Sequence, residues 1–317
     1  MVVGGSDGGQ QFNKPISRLK DTPPVPSKTE PKIARDRGSV TPGAGYEQQR
    51  KELSPTVKMV TSMVNSTATD PARTDPKGAP GTYVNQDRPL FDPKKGPTAA
   101  DVVQSKALGD CYLVASLAAL ARQNPGFVRE MIVNTGPDKY KVRFFQDDGK
   151  GNQVEQWIEV DDDLPTVDGK LAGAGAGQGE SMWVALVEKA YAKRAGSYDA
   201  IGNGGHASIA MTALTGKRAA QVDLGQAKTD TFLDDVHETV AAGRLVVADT
   251  PRDKAVIFKD IDGKENKTGA TFGHSYTVVG VSRGYEAVNL RDPYGKVLIV
   301  AVDEFLRVFK VLNVGQT

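Results

Sequence analysis

Between Leu245 and Val314 the sequence carries six short runs of strand-forming residues: LVVAD, AVIFK, SYTVVGV, EAVNL, VLIVAV and VFKVLNV. Gly, Asp and Asn turns separate them at intervals that leave no room for helices, whereas parallel strands need crossovers of about a dozen residues or more. The runs therefore predict an antiparallel sheet. An amphipathic helix near Thr231 to Ala242 precedes them. The stretch further upstream has a different period. DCYLVASLAALARQ, Asp110 to Gln123, sets Leu113, Leu117 and Leu120 at helical spacing among alanines, which predicts a buried helix stopped by Pro125 and Gly126. MWVALVEKAYAKRAG places Trp183, Leu186, Val187, Ala190 and Tyr191 on one helical stripe that Gly196 ends. Lys139 to Phe145 alternates as a strand and Gln156 to Val160 returns beside it across DDGKGN. The fold class expected is α+β, helix-led first and β-rich second, with a cleft between the two parts as the natural place for a site.

The N-terminal quarter fits neither pattern. Thirteen of the 18 prolines fall in the first 100 residues, among many Ser, Thr, Lys and Gln, so residues 1–81 are expected to be a disordered tail. Only Glu47 to Val64 could form a helix there, and Pro55 limits it. The tail reads as a solvated leader, with an export signal, pro-segment or docking tail as the sharper alternatives. The expected division is 82–209 for the helical part and 210–317 for the β part.

Charge and cysteine content exclude several classes. Lys+Arg 40 against Asp+Glu 39 gives +1, so neither nucleic acid nor an anionic membrane is an expected partner. One cysteine cannot close an intramolecular disulfide or build a thiolate metal cluster, and three histidines leave little for a metal site. MVVGGSDGGQ lacks the basic and apolar regions of a secretory signal, and no 18-residue apolar run follows. A cytoplasmic location is expected, with non-Sec export as an effector the alternative.

Cys111 stands at the start of the buried helix, where the dipole stabilises a thiolate. The bland alternative is a small buried hydrophobe. A thiolate nucleophile needs a histidine base and a group to orient it. His237 lies on the amphipathic helix and reads as a surface residue. His206, in GNGGHAS, opens a short helix and is the second candidate. His274 opens SYTVVGV, and taking Arg283 as the hairpin centre puts it opposite Asp292, within reach of an imidazole. Asn289 is a rival orienting group, on the other face of a regular strand. An exposed cross-strand ion pair is the bland reading of His274 and Asp292.

Two acidic stretches, DDDLP from Asp161 and KDIDGKEN from Lys259, do not match the twelve-residue calcium loop and read as solvated turns. GAGAGQG lacks the Lys-Ser/Thr of a phosphate loop and reads as a flexible loop.

The string ALGDCYLVASLAALA resembles the active-site segment of calpain-type cysteine proteases. VDDDLP, ESMWVALVEKAYAKRAGSYDAIGNGG, GHSYTVVGV, LRDPYGK and DEFLRVF resemble later segments of that family in the same order, over about Thr82 to Val314. The resemblance implies a papain-like two-lobed fold and an endopeptidase acting on protein or peptide substrates. It implies Cys111 as nucleophile, His274 as base and Asp292 as the third triad member. Gln104 is implied as the oxyanion-hole donor on the assumption of a one-residue insertion; an ungapped reading puts Ser105 there. The family has Asn before Pro-Trp-Gly, whereas this chain has Asp292, Pro293, Tyr294 and Gly295, and an aspartate would favour the imidazolium more strongly. No cofactor is required by the sequence, and calcium is left without a matched ligand motif. The alternatives are a Cys-dependent acyl transferase and a catalytically silent peptide-binding module.

Overall fold

The computed structural model describes residues 82–85, 88–167, 170–175, 181–225, 227–252, 255–267 and 273–317. The tail expected over 1–81, including the candidate helix at Glu47 to Val64, lies outside them, as do residues 176–180 of the glycine-rich loop.

In chain order, β1 (Thr82–Asn85) precedes the buried helix α1 (Cys111–Gln123) and a one-and-a-half-turn helix α2 (Pro125–Glu130). Pro125 ends α1 as expected and also starts α2. The Asn124 side chain caps the new helix by accepting from the Phe127 N–H, and proline suits a first helical position because its missing N–H has no partner there. Next come β2 (Ile132–Gly136), β3 (Lys139–Asp147) and β4 (Gln153–Asp161), an antiparallel meander. Then β5 (Asp163–Val167) pairs with β1 and with β6 (Lys170–Leu171). DDDLP is therefore a corner between two strands and not a solvated turn. Asp162 is buried and accepts from Asn85 Nδ2 at 2.6 Å, and Lys189 Nζ bridges Asp161 Oδ1 and the Asp163 carbonyl.

Helices α3 (Trp183–Ala195), α4 (Tyr198–Gly202) and α5 (Ala207–Thr215) follow. Gly196 ends α3 in the left-handed region at φ 99°. Then come β7 (Ala220–Asp223), α6 (Thr229–Ala241), β8 (Leu245–Asp249) and the small hairpin β9 (Ile257–Lys259) and β10 (Glu265–Lys267). The chain closes with β11 (Ser275–Ser282), β12 (Ala287–Arg291), β13 (Val297–Ala301), α7 (Val302–Val308) and β14 (Val311–Gly315). Six strands form one antiparallel sheet in the order β13-β12-β11-β8-β14-β7. The expectation of no helix between these strands fails at α7. There Val302, Phe305 and Val308 give a helical stripe that is buried against the sheet.

Strand β8 joins two hydrophobic cores. Leu245 and Val247 pack with α1, α3 and α5, while Val246 and Ala248 pack with Phe232, Phe258, Phe305 and Phe309. The two-residue period of a strand sends alternate side chains to opposite cores. Neighbouring strands keep the same phase: Leu312 and Val314 face the second core, whereas Asn313 turns the other way, toward α5. On β11 the Thr277 hydroxyl donates to the Ala115 carbonyl of α1 at 2.8 Å. One face of the sheet is thereby held against the helix that begins at Cys111.

Candidate active site

Cys111 is the first residue of α1, and its helix fills the first core, with every residue from Cys111 to Ala121 buried. The approach to it is fixed by glycine. A methyl group on Gly109 would lie 2.3 Å from the Gly202 carbonyl oxygen, and one on Gly202 would lie 2.7 Å from Leu108 Cδ1. The loop before Cys111 and the C-terminal end of α4 interlock at a spacing only glycine permits. Gly205 likewise lies flat on the Tyr112 ring.

Ser275 on β11 lies close enough to Cys111 for its backbone N–H and hydroxyl to bear on the thiol. Ser275 and Thr277 share one face of the strand, as Cys111 and Ala115 share one face of the helix, so α1 and β11 meet at two contacts one helical turn apart. Cys111 is 8% exposed. Burial pushes its thiol up to about 11, with the nearby charges of Asp110 and Asp249 acting in the same direction. The helix N-terminus does not overcome that desolvation, so the resting group is a thiol.

His274 immediately precedes β11, its N–H donating to Thr250 Oγ1 and its carbonyl accepting from the Thr250 N–H. The imidazole is half-buried between two tyrosines, edge-on to Tyr276 at 5.0 Å and stacked on Tyr294 at 5.9 Å. Burial drives its pKa down to about 4, so it too is neutral at rest. Among the described residues no hydrogen bond joins His274 to Cys111 or to Asp292.

The pairing expected between His274 and Asp292 is not the one found. Thr277 pairs with Arg291 and Val278 with Leu290, and the ladder ends there, so neither His274 nor Asp292 has a partner in it. The hairpin turn spans Arg283 to Glu286, longer than a turn centred on Arg283, and a bulge between Val278 and Gly280 shifts the pairing again. One step past the last pair the register points Asp292 at Tyr276 and not at His274, an error of two residues. Asp292 instead organises its own turn: Oδ1 accepts from the Lys296 N–H at 2.8 Å, and the Asp292 carbonyl accepts from the Gly295 N–H. Burial raises its pKa against the backbone N–H groups of Lys296 and Tyr294. Asn289 accepts from the Ser282 hydroxyl at the far end of the hairpin.

Gln104 lies in the loop before α1 and is buried. Its backbone N–H donates to the Pro293 carbonyl and its Nε2 to the Leu108 carbonyl, both at 2.7 Å, which ties the loop to the turn after Asp292. Ser105 is less buried, and its hydroxyl accepts from the Ala107 N–H. His206 occupies the N-cap position of α5 without a capping side-chain bond, and its pKa is lowered by partial burial and by Arg252. His237 is exposed on α6. Arg252 reaches across to donate to the Gly205 carbonyl. Sequence reasoning passed over Ser275 and Asp249. Only their position beside His274 and in LVVAD could have drawn attention to them.

Among the described residues no group of three or more His, Cys, Asp or Glu side chains is placed to hold a metal ion, and no helix is long and apolar enough to cross a membrane. The acidic KDIDGKEN stretch is a hairpin turn in which Asp260 Oδ1 accepts from the Lys264 N–H.

Residues 80–299 match the calpain family cysteine protease domain. The chain is 34% identical over 221 residues to the calpain-1 catalytic subunit of Mus musculus, covering 64% of this chain and 28% of that protein. It is 31% identical over 215 residues to the calpain-2 catalytic subunit of Bos taurus, covering 64% and 29%. Calpain-5 of Mus musculus is 29% identical over 256 residues, covering 69% and 39%. The chain thus spans well under half the length of these relatives. With a family match running from β1 into β13, the chain belongs to the calpain family of cysteine proteases.

Proposed function

We propose that the chain is a calpain-like cysteine endopeptidase of papain-like, two-lobed build, with lobes over 82–209 and 210–317 and the site between them. Cys111 attacks the scissile carbonyl, His274 takes the thiol proton and delivers it to the leaving amine, and Asp292 orients the imidazole. The Gln104 amide and the Cys111 N–H hold the oxyanion. The observation that carries this reading is the packing of Cys111, at the start of α1, beside Ser275, the residue that follows His274. Its substrates are proteins or peptides met inside the cell, and no metal is assigned to any step.

The test is hydrolysis of an unstructured protein by wild type, Cys111→Ala and His274→Ala. Loss of cleavage in both variants supports the reading, and cleavage surviving Cys111→Ala ends it. A second reading, a silent peptide-binding module, is favoured by one observation: thiol and imidazole are both neutral and are not hydrogen-bonded to each other. Binding of a peptide without scission by wild type would select it. Incorporation of an added amine would instead identify acyl transfer.

A further inference from the structure

Behind Cys111 lies a buried polar chain that peptide hydrolysis as described above does not use. Ser275 pairs with Asp249 across β11 and β8. The adjoining His274 and Thr250 carry a ladder bond, Thr250 N–H to the His274 carbonyl at 3.0 Å, so Ser275 and Asp249 form a non-hydrogen-bonded pair with close side chains. The Ser275 N–H then points away from β8, toward the sulfur of Cys111. The Ser275 hydroxyl donates to Asp249 Oδ1 at 2.7 Å, and Asn313 Nδ2 donates to Asp249 Oδ2 at 2.8 Å.

The direction of these bonds follows from counting protons. Asn313 Oδ1 accepts from the Ser208 backbone N–H at 3.1 Å, which can only donate, so Asn313 must present its NH2 to Asp249. Asp249 Oδ2 is therefore an acceptor, and the carboxyl proton that reaches Ser275 is one carried on Oδ1. While Asp249 is ionised, the single hydroxyl proton of Ser275 is committed to it. The Ser275 hydroxyl then offers the Cys111 sulfur only lone pairs, which suit S–H and not a thiolate, and the Ser275 N–H is left as the residue's one donor to the sulfur. When Oδ1 is protonated it donates to Ser275 Oγ, and the hydroxyl proton turns toward the sulfur.

We propose that Asp249 is a positioning residue which, through Ser275, holds Cys111 as a thiol while ionised and favours the thiolate when neutral. This rests on the reading of Cys111 as the nucleophile. The proton count balances: S–H breaks as Oγ–H forms, and the former Oγ–H breaks as Oδ1–H forms, moving the negative charge from carboxylate to sulfur. Part of the Asp249 side chain reaches solvent, yet its surroundings push the carboxyl pKa up, toward the neutral form, against Ser275, Asn313, Arg252 and His206. The other titratable groups around Cys111 are Asp110, Tyr112, Tyr276 and Tyr294.

Asp249→Asn mimics the protonated carboxyl. Its oxygen must face Asn313, so its NH2 donates to Ser275 and frees the hydroxyl for the sulfur, while one negative charge disappears. The experiment is iodoacetamide alkylation of Cys111 against pH in the full chain, followed by intact mass, with circular dichroism confirming the fold. The expected result is a midpoint lower than wild type by about one pH unit or more. Ser275→Ala removes the lone pairs to which the thiol donates and also the hydroxyl that steadies the Asp249 carboxylate; both losses should lower the midpoint, and the variant serves where Asp249→Asn does not fold. A midpoint in either folded variant that is unchanged or raised overturns the proposal. Alkylation needs no peptide hydrolysis, so a chain that proves silent toward substrates still reports this midpoint.

Discussion

His274 is stacked on Tyr294, ring centroids 5.9 Å apart and planes 20° from parallel. Tyr294 lies in the turn after β12 and keeps 46% of its surface exposed, so it covers the imidazole from the solvent side. The imidazole is thereby dehydrated and its pKa falls to about 4.

Removing that cover should return the imidazole to water. In Tyr294→Ala the His274 midpoint is expected to rise from about 4 toward the ordinary histidine value. Proton NMR titration of the imidazole C–H signals, assigned by loss of one signal in His274→Gln, reads it directly. A midpoint that stays near 4 would mean that the backbone around Thr250, and not the tyrosine, desolvates the ring.

The same depression makes stability depend on pH. The folded pKa of His274 lies below its unfolded value, so its contribution is present above about pH 6.5 and is lost as pH falls toward 4. Between pH 7 and pH 5 this one group should cost about 2 kcal/mol. Urea unfolding of wild type and His274→Gln at both pH values isolates it: the variant should lose less stability than wild type on acidification. Equal losses would show that His274 is solvated in solution.

Gly109→Ala tests the interlock in front of Cys111. The added methyl meets the Gly202 carbonyl oxygen at 2.3 Å, and a backbone atom cannot swing aside as a side chain could. A loss of about 1 to 3 kcal/mol is expected, together with displacement of the Cys111 loop. Thermal unfolding and the rate of Cys111 alkylation report the two effects separately. Wild-type stability in Gly109→Ala would mean that the loop moves freely.

Much of this was legible because side-chain period reports local structure. Leu113, Leu117 and Leu120 announced α1, and SYTVVGV and EAVNL announced β11 and β12. What failed depended on backbone detail that period does not carry. The bulge between Val278 and Gly280 and the extended turn through Glu286 moved the register beside His274 by two residues. Asn124 turned a helix stop into a helix start. The Ser275 and Asp249 pair was invisible because it depends on β8 lying beside β11, an ordering set by the whole six-stranded sheet. The family resemblance located the candidate residues but said nothing of their resting protonation, which burial decides.

The oxyanion assignment divides Gln104 from Ser105 by a measurement specific to charge on oxygen. Gln104 Nε2 donates one hydrogen to the Leu108 carbonyl, which fixes the amide and leaves the second N–H for a developing oxyanion. Its Oε1 is buried without a hydrogen-bond partner, so Gln104→Ala removes an unsatisfied acceptor along with one bond. The stability change should therefore stay within about 1 kcal/mol. Peptide hydrolysis should fall by about 10²- to 10³-fold in kcat with little change in KM, since the lost bond strengthens only as charge develops. Alkylation of Cys111 forms no oxyanion and should change far less. Ser105→Ala should leave kcat near wild type. The reverse pattern, hydrolysis kept in Gln104→Ala and lost in Ser105→Ala, would move the oxyanion donor to Ser105 and remove the one-residue insertion from the alignment.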